Sequence, residues 1–153
     1  MTEPFGDSPN LVNEIPEISV HDNRLVSYEV LCRQRAIHLR TEFQDGGGPF
    51  EFTEIIFTGV AAYDFWHDSV SGNIIFDIDE VSPSDIYADH GQQFRDGLRY
   101  GWPGDWAATA ESAAAYFLQH LIRGFELSSS SGMSGWILAC NIQKRISGPS
   151  HNA

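Results

Sequence analysis

The sequence predicts an α+β domain. One strongly twisted antiparallel sheet of about six strands, sandwich-like or curling toward a partly open barrel, carries two helices between its fourth and fifth strands, packed on one face. Three observations lead there. From Arg24 to Val81 apolar residues recur at every second position in short runs broken by Gly, Asp, Asn and Ser, the period of strands that keep one face dry and one wet. Ser82-Pro83-Ser84-Asp85 combines a capping hydroxyl, a proline at the first helical position and an acid in the first turn, which is the chemistry of a helix start. A chain of 153 residues that is 42% hydrophobic and 12% aromatic buries roughly two-thirds of its unfolded surface, enough for one self-sufficient core.

Taken in order, residues 1–14 form an extended or disordered lead-in, because Pro4, Pro9 and the adjacent Pro16 stand among polar spacers. A single domain spans 15–147, and 148–153 is a frayed tail. The first strand places Val26, Tyr28, Val30 and Cys32 on one side. A polar turn at Arg33-Gln34-Arg35 leads to Ile37, Leu39, Thr41 and Phe43, completing a hairpin. Three glycines and Pro49 make a loop before the third run, Phe50 to Trp66. That run is too long for one straight strand, so Gly59 is the natural bend that lets it change partners or faces. Asn73 to Val81 alternates Ile74, Phe76 and Ile78 against Ile75, Asp77 and Asp79.

The first helix starts near residue 83 on a stripe of Ile86, His90, Phe94 and Leu98; Gly91 and Gly97 each weaken it by roughly 1 kcal/mol against Ala, so it is short or broken. An irregular aromatic segment, Tyr100 to Trp106, follows. The second helix runs from about Ala108 to Ile122, opened by Thr109 and stopped by Gly124. Phe125-Glu126-Leu127 starts the fifth strand, a Ser/Gly segment joins it to the closing strand, and that strand is Trp136 to Ile142.

Charge and leader chemistry narrow the function. The net charge is -12, from 21 Asp+Glu against 9 Lys+Arg, which repels phosphate backbones and argues against nucleic acid; the basic residues are scattered apart from Arg33/Arg35 and Lys144/Arg145. No basic and apolar leader and no run of about 20 apolar residues is present, so the expectation is a cytoplasmic protein with no membrane contact. Cys32 and Cys140 sit in apolar strand-like runs, where free thiols behave as small buried hydrophobes.

No constellation carries a specific catalytic spacing. Asp64, His67, Asp68, Asp77, Asp79 and Glu80 offer hard oxygen ligands but match no metal-loop spacing, and alternating Asp77 and Asp79 are equally what a solvated strand face looks like. The six histidines form no close helical pair. Ser128 to Gly135 lacks both the strand-to-helix context of a nucleophile elbow and the Lys of a phosphate loop, leaving a hairpin turn as its plainest reading. Tyr100, Trp102 and Trp106 form the best contact surface if exposed, or a lid over the core if not.

Three segments, Phe57 to Tyr63, Asn73 to Glu80 and Phe125 to Trp136, resemble blocks in small, uncharacterised bacterial domains, some of which are similar to immunity proteins of polymorphic-toxin systems. The resemblance implies a protein that neutralises a toxin by binding it, and it assigns no catalytic residue. The reading is a non-catalytic acidic binding module without cofactor or metal. It would meet a basic partner such as a cognate toxin through Tyr100, Trp102, Trp106, Asp77, Asp79 and Glu80, with a homo-oligomer left open. The alternative is a small enzyme or metal-dependent ligand binder working through His67, Asp68, Asp77, Asp79 and His90.

Overall fold

The computed structural model describes residues 23–44, 50–66 and 74–149. The expected lead-in, the glycine-rich loop, His67 and Asp68 lie outside the described residues. The strands are β1 (Asn23–Leu31), β2 (Ala36–Gln44), β3 (Phe50–Thr58), β4 (Ala62–Trp66) and β5 (Ile74–Val81). Helices α1 (Pro83–Asp89), α2 (Gly91–Leu98) and α3 (Ala110–Gln119) follow, with a 3-10 turn at Asp105–Ala108 before α3. The chain closes with β6 (Arg123–Ser131), β7 (Ser134–Ala139) and β8 (Asn141–Pro149), so the last strand runs two residues into the stretch expected to fray.

The α+β class with antiparallel pairing holds throughout; the detail differs from one sheet of about six strands and two helices. The hydrogen-bonded order is β4-β7-β6-β5-β1-β2-β3-β8. It falls into two four-stranded halves, because β5 and β1 meet through only Asn23↔Ile75 and Arg24↔Ile74. The halves are also joined by the chain itself. β3 bends into β4 through Gly59, whose φ is +64°, and β7 bends into β8 at Cys140, whose N–H is shared between the carbonyls of Thr58 and Gly59 at 3.0 and 3.2 Å. These two long strands pair with each other on both sides of the corner. The two four-stranded halves therefore share one interior, and the third and last predicted strands each appear as two segments. A side chain at Gly59 would strike Cys140 Sγ at 2.6 Å, which is why the corner needs a residue with neither Cβ nor a φ preference.

Alternation then fills the interior. Leu25, Ile37, Leu39, Ile55, Phe57, Phe125, Leu127, Ile137 and Ile142 are buried in one cluster, and Asn23, Thr41 and Thr53 close one end of it. Asn23 Nδ2 donates to Thr41 Oγ1 and Thr41 donates to the Thr53 carbonyl, both at 3.0 Å, so the polar side chains of Asn23 and Thr41 are tied into this end of the core. The first strand departs from its predicted phase. A bulge between Leu25 and Ser27 turns Leu25 inward and leaves Val26 54% exposed, because one extra residue flips the side on which the alternation continues. The strand also ends at Leu31, so Cys32 stands exposed in the turn rather than buried.

Three helices replace the predicted two. The first is broken at His90, which ends α1 and precedes α2 with φ -114° and ψ 31°. The second opens as expected, with Thr109 and Ser112 forming a reciprocal capping box. It stops earlier than Gly124, however. Ile122 N–H donates to the Phe117 carbonyl at 2.8 Å and Leu121 N–H to that of Leu118 at 3.4 Å, the pairing of a Schellman terminus. Gly124 instead lies in β6 beneath the start of α1, where a Cβ would meet the Val81 carbonyl at 2.7 Å.

Candidate functional site

The helices cover only one of the two halves. Outward-facing Ala62, Trp136 and Leu138 join Ile86, Phe94, Ala113, Phe117 and Ile122 in a second buried cluster, and none of its members comes from β1, β2, β3 or β8. It is built mainly of rings. Trp102 stacks on Phe94 at 5.2 Å and 17°. Trp106 stacks on Tyr116 at 4.7 Å and 9°, and His90 lies 5.6 Å from Trp136 and 5.9 Å from Trp66. Trp136 is fully buried, and its Nε1 finds no hydrogen-bond partner among the described residues. Gly97 is the residue that admits Trp102, since a Cβ there would sit 2.3 Å from the indole Cε3.

The predicted aromatic surface thus splits. Trp102 and Trp106 are half-buried members of the helical layer, whereas Tyr100 is 88% exposed. The acidic group is spread out as well. Asp64 pairs with Trp136, Trp136 with Glu126 and Glu126 with Asp79; three strand spacings, about 14 Å, separate Asp64 from Asp79. Asp77 faces Ser128 across the ladder. Glu80 is engaged by Arg123, whose Nε and terminal nitrogen donate to its two carboxylate oxygens at 2.9 and 3.0 Å. Among the described residues no three His, Cys, Asp or Glu side chains gather as a metal-holding group. The Ser/Gly segment is a hairpin, with β6 continuing to Ser131, Gly132 at φ +92° and Met133 buried. Ser129 hydroxyl donates to the Met133 carbonyl and Ser129 N–H to Ser134 Oγ.

Two cavities flank the corner. An open apolar groove of about 500 Å³ is lined by Pro83, Ala114, Phe117, Leu118, Leu121, Ile122, Arg123 and Cys140. Leu118 and Leu121 stand 81% and 75% exposed beside it. On the other side a cavity of about 190 Å³ is bounded by the β1–β2 turn, the β3–β4 bend and Trp102.

Sequence reasoning missed both, yet each has a backbone signature. The non-glycine residues with left-handed φ among those described are Arg35 at 54° and Leu121 at 57°, and each lines one of these cavities. A bulky side chain in that conformation costs about 1–2 kcal/mol where Gly or Asn would rest easily. Both stand where left-handed backbone is common, Leu121 at the end of α3 and Arg35 in the β1–β2 turn, so what is unusual is the residue type at each.

The helical layer carries exposed acids, while the one charged residue lining the groove is Arg123. Asp85, Asp89, Asp96, Asp105 and Glu111 all project from the helical layer, against Arg95 and Arg99. Asp79 and Glu126 are placed directly opposite each other, a like-charge pair that destabilises the ladder. The other half holds the sequence's supposedly scattered bases, Arg24, Arg33, Arg35, Arg40, Lys144 and Arg145. There Glu54 is the hub: Arg40 and Arg145 approach it at 3.3 Å and His38 Nδ1 at 2.9 Å, and Arg40 continues to Glu29 at 3.3 Å. No helix among the described residues is long and apolar enough to cross a membrane.

Comparison with protein-family models, with curated proteins and with solved structures returns no match.

Proposed function

We propose that this chain is a non-catalytic binding module for a basic protein partner, gripping it with the helix-covered half. The observation that carries the reading is Leu121: an exposed apolar residue held in a left-handed conformation at a helix terminus, next to exposed Leu118 and above a groove of about 500 Å³. Exposed leucines over a groove supply the apolar centre of a contact, and the exposed acids of the same helical layer supply a longer-range field that steers a basic partner. The like-charge pair Asp79 and Glu126 is relieved when cations approach. Tyr100, the exposed member of the aromatic segment, extends the contact, with Trp102 and Trp106 serving as its buried support. Asp77 and Asp79 add negative field, and Glu80 holds Arg123 at the groove's edge. Neutralisation of a basic toxin is the biological form that such a binder takes in this reading.

The test is calorimetric titration with a synthetic amphipathic helix of Leu and Lys, set beside its Leu and Glu counterpart. The cationic peptide is expected to bind and the anionic one not. Leu121→Gly is expected to weaken the cationic peptide by about tenfold while raising the melting midpoint by about 2 °C, since it relieves the strained φ. Equal binding of the two peptides, or an affinity untouched by Leu121→Gly, would remove the basis of the reading.

A further inference from the structure

Arg35 poses the same question as Leu121, at a different cavity. The β1–β2 turn is closed by Arg35 N–H donating to the Cys32 carbonyl at 3.2 Å, and the Arg35 carbonyl in turn accepts from Val60 N–H at 2.9 Å. The backbone is thus locked to the β3–β4 bend. The αL position of such a hairpin turn is where glycine is favoured, yet an arginine occupies it at φ 54°. Its guanidinium makes no hydrogen bond or ion pair with any described residue. Beside it Val30, Leu31, Ile37, Val60, Ala61 and Ala62 give the cavity an apolar wall, with Tyr63 and Trp102 as its aromatic members.

We infer that this cavity is a binding site for a small monocarboxylate with a short apolar body. Its volume of about 190 Å³ equals roughly six water volumes of about 30 Å³, room for a short acyl chain or a single ring. An apolar wall with one exposed arginine in its lining suits an amphiphilic anion: the body displaces water from the aliphatic lining, and the carboxylate draws the Arg35 side chain over it in the charge-assisted pairing that Arg makes in bidentate form. Arg33 in the same turn adds positive field, so the anion approaches the basic half of an otherwise acidic molecule. A dication or a bare inorganic anion fits less well, the first because the cavity offers a cation and no carboxylate, the second because it leaves the apolar wall wet.

This site is independent of the groove at Leu121, and the two stand or fall separately. Its probes are hexanoate and benzoate, each compared with its primary amide, and it has two readouts. One is the NMR shift of the Trp102 indole and the Tyr63 and Arg35 amides. The other is the alkylation rate of Cys32, which is exposed and lines the cavity, read peptide by peptide to separate it from Cys140. The acids are expected to shift those resonances saturably and to slow Cys32 alkylation, with the amides at least about tenfold weaker. Arg35→Gly is expected to abolish the difference between acid and amide without lowering the melting midpoint, and Arg35→Lys to keep part of it. Acid and amide binding alike in the wild-type protein, or shifts that fail to saturate at Trp102 and Tyr63, would overturn the inference without touching the peptide-binding reading.

Discussion

The two halves of the fold share one interior but wear different exteriors. In the half made of β4, β7, β6 and β5, outward positions hold Ala62, Trp136, Leu138 and Gly124, and helices cover them. In the half made of β1, β2, β3 and β8, the equivalent positions hold Glu29, His38, Arg40, Glu54 and Arg145, and these tie neighbouring strands together by hydrogen bonds and ion pairs centred on Glu54. Period-two alternation says only which side a residue takes. What covers that side is decided by the chemistry of the outward set, since an apolar outer row must be buried again while a charged one is already content in water.

The contrast yields predictions that differ in size. Trp136→Ala removes the ring on which His90, Phe94 and Trp102 converge and is expected to cost about 3–5 kcal/mol by denaturant unfolding; a loss near zero would mean the helices are not seated on this strand. Gly97→Ala gives a test of sign. Helix propensity alone stabilises by about 1 kcal/mol, but the new Cβ would meet Trp102 at 2.3 Å, so the expectation is a loss of about 1–3 kcal/mol, with a gain speaking against the packed ring. Thr109→Ala, which opens the capping box of α3, should cost about 1 kcal/mol. On the uncovered half, Arg145→Ala breaks one exposed arm of the Glu54 ladder and should change stability by no more than about 1 kcal/mol, shrinking further in high salt. Should the last substitution exceed the first, the account of which half is held by packing and which by charge would be inverted.

Much of this was legible in the residues. The alternating runs marked the strands, Gly59 marked the corner, and Thr109 marked the start of α3, because each rests on local backbone physics that a short window contains. The losses have local causes too. The bulge at Val26 shifts the first strand by one residue, which places Leu25 inside and Val26 outside although both are apolar, and the strand ends one residue before Cys32. Gly97 and Gly124 read as helix weakeners or stops, whereas each makes room for a partner distant in the sequence, Trp102 or Val81. The candidate surfaces were the least visible. Nothing in composition shows that Arg35 and Leu121 hold left-handed backbones; for the aromatic segment both a contact surface and a lid were open, because the sequence does not show that Trp102 would stack on Phe94 or Trp106 on Tyr116.

The most direct test of the central claim, that a basic protein partner is met by the helix-covered half and not by the charge-laddered one, is amide shift mapping of the wild-type protein titrated with the Leu and Lys helix. The account predicts perturbations confined to residues of α3 and the groove, Ala114, Phe117, Leu118, Leu121, Ile122 and Arg123, with Glu29, Arg40, Glu54 and Arg145 unmoved. Shifts centred on the Glu54 ladder, or none at saturating peptide, would contradict it.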